Sequence, residues 1–340
     1  MKSSSNKRTG GFDTPATQAL NHRSWRPEGA GALVICALGW SLGGVFLKYL
    51  NINSFAIAGL RSLFAFIAIA AMSRTLPAFY VKEESTGRID RAQTVVLWLS
   101  ALSYAGTMIT YVCGNKLTYA ANVIFLEYTS PVWVILLSSI LLGEKNRKID
   151  YITFGGIVAG MLLFFADGLF EKHNGEFTDT VVIGNIFGIL SGVCYAGTTL
   201  FQRKQQMLAA ERIRENPEAA KSKHDTSRDA FMLAQLITAA FGLPFVFLME
   251  GGMPDSRSLI FLLLLGFLQM GIPNIMYAIG IKKVTALSAS LITMIEPLMN
   301  PVWVFLFVHE IPSIRCIAGG VIILGFILMR EIISKKRITR

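Results

Sequence analysis

Apolar residues in this chain run on without the regular polar positions that mark one face of a soluble helix. Ten segments have this character: 29–50, 54–73, 93–112, 118–142, 151–168, 181–201, 229–249, 258–279, 286–308 and 314–333. Most reach the ~20 residues that a ~30 Å hydrocarbon layer requires. Inside lipid every backbone group has to be satisfied within its own segment, so the pattern predicts helices. The short alternating segments of a β-barrel are missing. The predicted class is an all-α integral membrane protein with ten transmembrane helices.

Part of the pattern occurs twice. Tyr111, Gly114, Lys116, Ala120, Pro131 and Glu144 recur as Tyr277, Gly280, Lys282, Ala286, Pro297 and Glu310, at a constant spacing of 166 residues. Gly155 and Gly160 recur as Gly320 and Gly325 at a spacing of 165. Upstream, Trp40, Phe46 and Lys48 match Tyr195, Phe201 and Arg203 at a spacing of 155. Each copy holds five predicted helices, and because five is odd the second copy enters the membrane in the opposite sense. Residues 29–168 and 181–333 are therefore expected to form inverted five-helix repeats. Residues 1–28 and 334–340 read as cytoplasmic tails, and 169–180 as an acidic outer linker. One inner connection, 202–228, is long and charged and favours helix as far as Pro217. It reads as a solvated extension of the sixth helix, with partner binding as the alternative.

Charge enters next, because it sets orientation. The net charge is +10, but the 32 Lys and Arg are divided very unevenly: 26 fall on one set of loops and tails and five on the other. Arg61 lies within a span. This is the positive-inside pattern, which places both termini in the cytoplasm of a protein in the cell membrane. The basic charge is thus topological, and no basic cluster with interleaved aromatics suggests nucleic acid. Expected partners are the lipid bilayer and a small-molecule substrate, and nothing in the sequence requires more than a monomer. Mean hydropathy of +0.51 agrees with this class. Gly39 with Gly43, Gly156 with Gly160, and Gly184, Gly188 and Gly192 offer small-residue faces for close helix packing.

The blocks PVWVILLSSILLGE (131–144) and PLMNPVWVFLFVHE (297–310), each following a Tyr–Gly–Lys helix end, resemble the drug/metabolite transporter superfamily, and within it the EamA-type ten-helix carriers. Glu296-Pro297, Trp40…Phe46…Lys48 and Arg61 are similar to that branch as well. The resemblance runs from about 29 to 333. It implies two inverted five-helix halves around a central cavity, lined mainly by the third, fourth, eighth and ninth helices with parts of the first and sixth. It also implies transport of amino acids, other small metabolites or drugs. The long 202–228 segment, His309 before the last Glu, and Glu127 depart from the family's pattern.

Glu127 and Glu296 are the most informative single residues. Glu127 lies nine positions and Glu296 ten inside its predicted helix, ~13–15 Å deep at 1.5 Å per residue. A charge there costs ~3 kcal/mol or more, so such a group normally faces water or a partner. Either could carry a proton or meet a cationic group of the substrate; a structural ion pair or backbone hydrogen bond is the competing reading. Arg61 is their natural partner, or a site for a substrate carboxylate. Trp40, Tyr104, Thr107, Tyr195, Gln269, Asn274 and Asn300 are polar or aromatic residues placed to line a cavity, although membrane aromatics also serve as packing. Pro131, Pro273, Pro297 and Pro301 are hinge candidates, because each removes a backbone donor. Three of the four lie in the second copy, so its eighth and ninth helices are expected to bend more than the third and fourth.

No P-loop occurs, His309-Glu310 lacks the second histidine of a zinc protease, and the four cysteines have no metal spacing. No catalytic residue, metal or cofactor is expected, and the chain does not read as an enzyme. The leading reading is a secondary carrier, possible in either direction and with or without proton coupling. The alternative is a non-transporting receptor or assembly subunit built on the same scaffold.

Overall fold

The structure, a computed structural model, describes residues 27–43, 46, 49–83, 87–118, 120–144, 146–164, 179–215, 225–249, 251–308 and 313–336. The described residues are helical throughout apart from turns and a single bridge between Lys82 and Ile89. In chain order the helices are α1 (Pro27–Ser41), α2 (Ser54–Ser73), α3 (Arg91–Leu117), α4 (Ala120–Glu127), α5 (Ser130–Leu141), α6 (Lys148–Phe164), α7 (Asp179–Glu215) and α8 (Thr226–Met249). There follow α9 (Ser256–Leu264), a π-helical segment (Leu265–Gly271), α10 (Ile272–Gly280), α11 (Ala286–Thr293), α12 (Ile295–Val308) and α13 (Ile314–Lys336). Six spans among the described residues are long and apolar enough to cross a membrane, and three shorter apolar helices accompany them.

Among the described residues, three of the ten predicted helices divide into separate segments. The fourth divides into α4 and α5 at Tyr128–Thr129, and the ninth into α11 and α12 at Met294. These breaks fall at matching places: Ala120–Glu127 and Ala286–Thr293 differ by 166 at both ends, the spacing already seen in the sequence. The expected contrast between the fourth and ninth helices is therefore absent. It persists between the third and eighth, since α3 is continuous while the eighth contains the π turn. The prolines explain much of this. Pro131, Pro273 and Pro297 each sit in the first turn of a new helix, where no backbone donor is needed. They therefore start half-helices rather than kink whole ones. Pro301 lies within α12 with its side chain outside the described residues. Pro244, inside α8, was not among the hinge candidates.

Packing partners come in exchanged pairs. α3 lies along α7, and α1 along α10. α4 and α5 pack on α7, while α11 and α12 pack on α1. α8 packs on α3, and the π segment on α2. α2 with α8 and α6 with α13 join corresponding helices of the two copies. Close approach is needed where α2 meets α8. A Cβ on Gly59 would lie 2.5 Å from the carbonyl carbon of Gly242, so each glycine gives way to the other's backbone. The 202–215 part of the charged segment continues α7, but it is not simply solvated. Gln202, Arg203 and Gln205 are buried, and Gln202 Nε2 donates to the carbonyl of Ser227 at 3.1 Å. Residues 216–224 of that segment, most of the 169–180 linker, the bulk of both tails, Lys48, and His309 with Glu310 lie outside the described residues.

Replacing Gly59 or Gly242 by valine should force α2 and α8 apart and destabilise the fold by about 1–3 kcal/mol. Thermal unfolding in detergent checks this, with Gly31→Val as the neutral control, since a Cβ there meets nothing within 4 Å.

Candidate functional site

The two broken helices and the π segment meet around one cavity of about 130 Å³. Its lining includes Trp40 and Ser41 from α1, Arg61 from α2, and Tyr104, Thr107, Met108 and Tyr111 from α3. Ile124 and Glu127 come from α4 and Tyr128 from the break after it; Tyr195 comes from α7, Gln269 and Met270 from the π segment, and Glu296 and Pro297 from α12. The structure thus brings together eight of the ten sequence candidates: Trp40, Arg61, Tyr104, Thr107, Tyr195, Gln269, Glu127 and Glu296. Asn274 stands behind the lining rather than in it. The side chain of Asn300 lies outside the described residues.

Local structure explains the two glutamates differently. Glu296 is in the first turn of α12, where the helix dipole and free N–H groups favour a carboxylate. Glu127 is the last residue of α4, at the end of the dipole that opposes negative charge. The break after it frees carbonyls, and Gly192 of α7 makes room for them: a Cβ at 192 would lie 2.8 Å from the Leu126 oxygen and 3.0 Å from that of Glu127. Thr129 satisfies the Leu126 carbonyl by donating from Oγ1 at 2.6 Å. The expected ion pair of Arg61 with a glutamate is not formed among the described residues. α2 packs on the π segment, so the guanidinium meets Gln269 instead and donates from Nη1 to its Oε1 at 3.4 Å. Its Nη2 contacts Met108 Sδ at 3.6 Å, and its Nε, though buried, has no acceptor.

Gln269 also donates to the carbonyl of Trp40 at 3.3 Å, tying the π segment to α1. Beneath the lining, Asn274 Oδ1 accepts from Trp40 Nε1 at 3.2 Å and from Tyr104 OH at 3.1 Å. Trp40 stacks on Tyr277 and Tyr104, with Tyr195 edge-on, and Phe231 closes the cluster against Tyr104 and Tyr277. Tyr277 donates to Thr199 Oγ1 at 2.9 Å. One turn further along the same helices, Arg203 pairs with Glu144 at 3.2 Å and donates to the carbonyl of Ile281 at 3.4 Å. Glu144 Oε2 accepts from the backbone N–H of Ala286, the first residue of α11. Nearby, Arg330 pairs with Asp150 at 3.0 Å. An aromatic floor and then a layer of ion pairs close this end of the bundle.

Sequence reasoning passed over Tyr111, Tyr128, Met108 and Met270. Tyr111 could have been found, since it opens the repeated pattern; Tyr128 was marked only by adjoining Glu127. Thr107 lines the cavity, but its hydroxyl donates to the Ser103 carbonyl of its own helix.

The EamA-like transporter family model matches residues 28–166 and 219–330. An uncharacterized transporter of Archaeoglobus fulgidus is 27% identical over 301 residues, covering 88% of this chain and 95% of that protein. A protein of known crystal structure superposes with a TM-score of 0.70 at 16% identity, over 92% of this chain and 99% of its own, a likeness of fold alone.

Asn274→Leu should leave the Trp40 donor buried without an acceptor and Tyr104 with only the Met270 sulfur, and destabilise the protein by about 2 kcal/mol. A lowered thermal midpoint in detergent checks this.

Proposed function

The chain belongs to the EamA-like transporter family, and from that premise we propose that it is a secondary carrier working by alternating access, with a small metabolite, amino acid or drug-like compound as its substrate. The observation that carries the reading is the meeting of Arg61, Glu127 and Glu296 in one cavity formed at broken helices. Charged groups and interrupted backbone are kept at membrane depth where they line water or a ligand. The proposed architecture is ten spans in two inverted five-helix halves, with both termini in the cytoplasm of a cell-membrane protein. The matched breaks and the exchanged packing pairs support the inverted repeat. Two such halves can rock around a shared site, so that the aromatic floor and ion pairs closing one end open when the other end shuts. On this topology the closed end is cytoplasmic. Glu127 and Glu296 are the groups through which the cycle is coupled to protons.

In liposomes holding the purified protein, flux of a metabolite from a mixed panel should respond to a pH difference. Glu127→Gln should lower that flux at least tenfold or flatten its pH dependence, with the thermal midpoint near that of the wild type. Unaltered flux and pH dependence would remove Glu127 from the mechanism. Ligand binding with no flux in the wild type would favour the receptor reading.

Single cysteines at Asn174 and Thr339, in a cysteine-free background, should label from outside and inside respectively. Labelling of both from the same side would overturn the inverted arrangement.

A further inference from the structure

The connection between α2 and α3 folds into a short hairpin that turns cations and apolar side chains outward together, and we propose that this surface holds the headgroup of an anionic phospholipid. Its backbone is fixed. Lys82 bridges to Ile89, the Asp90 N–H donates to the Val81 carbonyl at 2.8 Å, and the Glu83 N–H donates to the Arg88 carbonyl at 2.8 Å. Neighbouring helices hold it down: the Ala78 N–H donates to Asp229 at 3.3 Å, the Val81 N–H to Thr94 Oγ1 at 3.0 Å, and Trp98 Nε1 to the Phe79 carbonyl at 2.9 Å. Successive side chains of an extended strand point to opposite faces. Val81 is buried beneath the hairpin, so Tyr80, Lys82 and its bridge partner Ile89 share the outward face, and all three are exposed. Lys82 Nζ stands 5.4 Å from the centre of the Tyr80 ring. Glu83 falls in the opposite register, and Asp90 is the N-cap of α3, accepting from the Gln93 N–H. Among the described residues the outward face carries Lys82 and no carboxylate.

The helix that follows indicates what covers this face. Arg91, Val95, Trp98 and Leu102 succeed one another at helical spacing on α3 and so form one stripe. Val95 and Leu102, with Leu99 beside them, are exposed large apolar residues, as on a helix face turned to lipid. Arg91, also exposed, heads the stripe next to the hairpin. The Phe79 ring lies 6.3 Å from that of Trp98 and is still 55% exposed, which joins the hairpin to the same stripe. An acyl chain lying along Val95, Leu99 and Leu102 therefore brings its phosphate to Arg91 and Lys82. Neither cation is in an ion pair among the described residues. Aromatic rings such as Phe79 and Tyr80 suit the boundary between acyl chains and headgroups. A choline headgroup would add a cation where no carboxylate meets it, whereas a headgroup of net negative charge meets cations alone. On the proposed topology the hairpin stands at the cytoplasmic surface, where anionic lipids attract basic side chains.

The test follows thermal unfolding of the full chain in detergent, with dioctanoyl phosphatidylglycerol, dioctanoyl phosphatidylcholine or sn-glycerol 3-phosphate added. A ligand that binds the folded state raises the midpoint. Phosphatidylglycerol should reach half its effect at a concentration at least fivefold below that of phosphatidylcholine, and glycerol phosphate should have no effect in that range. Lys82→Gln combined with Arg91→Gln should reduce the preference to less than twofold. Should that pair fail to fold, Lys82→Gln alone should at least halve the preference. Arg147→Gln combined with Lys148→Gln removes the same charge from exposed positions at the start of α6 and should leave the preference as in the wild type. Equal responses of the wild type to the two lipids would overturn the proposal. So would a preference that survives in the Lys82 and Arg91 variants, or one lost equally in the Arg147 and Lys148 variant. A glycerol phosphate response matching that of phosphatidylglycerol would overturn it as well, by making this a site for a soluble phosphate.

Discussion

A charge inside the hydrocarbon layer has to be neutralised, hydrated or matched by a ligand, and three such side chains converge at the centre of this bundle. The rest of the interior is arranged around accommodating them. Arg61 is carried in by α2, which is otherwise apolar over 20 residues. Glu127 and Glu296 are delivered by helices that stop and restart at the cavity, so one carboxylate sits at a helix end and the other at a helix beginning. After Glu127 the backbone ladder is loosened: the Thr129 N–H turns to the Leu126 carbonyl at 3.2 Å, and Pro131 offers the Glu127 carbonyl no donor. Those carbonyls are tolerable because the cavity, Gly192 and the Thr129 hydroxyl receive them.

Around this centre the helices approach closely where side chains are missing and separate where rings intervene. Gly59 and Gly242 bring α2 and α8 together, and Gly39 makes room for the Pro273 ring. Trp40, Tyr104, Tyr195, Tyr277 and Phe231 fill the space on one side of the cavity with interlocked rings. One turn beyond, the Glu144–Arg203 pair bonds to the start of α11 and the end of α10, joining segments from both copies. Ion pairs of this kind are poor generic stabilisers, because desolvation offsets much of their attraction, but they hold geometry well when both partners are fully hydrogen-bonded.

The candidate site was partly legible in the chain because membrane burial makes polar residues conspicuous. Arg61, Glu127 and Glu296 stand out against apolar neighbours, and Gln269 does so more quietly. Tyr111 and Tyr128 did not stand out, since an aromatic is an ordinary membrane residue until its neighbours are known. Asn274 was placed in the lining, yet it supports Trp40 and Tyr104 from behind. Arg61 was given a carboxylate partner on charge alone. Which acceptor lies nearest depends on the packing of α2 against the π segment, a relation that residue types do not encode.

Some features were written in the sequence by itself. The apolar runs required helices, because a chain in hydrocarbon has no other way to satisfy its backbone. The 166-residue spacing marked two corresponding stretches of chain, although neither break was read from it. The prolines marked where new helix starts would be tolerated, even though they read as kinks. Tertiary structure decided the rest. It made the fourth helix as broken as the ninth, turned the Gln269 segment into a π turn, and gave Arg61 an amide in place of an ion pair. The reason is one of range. Backbone satisfaction is settled within a few residues along the chain, whereas the partner of a buried side chain comes from residues hundreds of positions away. Those partners are chosen by how helices fit against one another, glycine against backbone and ring against ring.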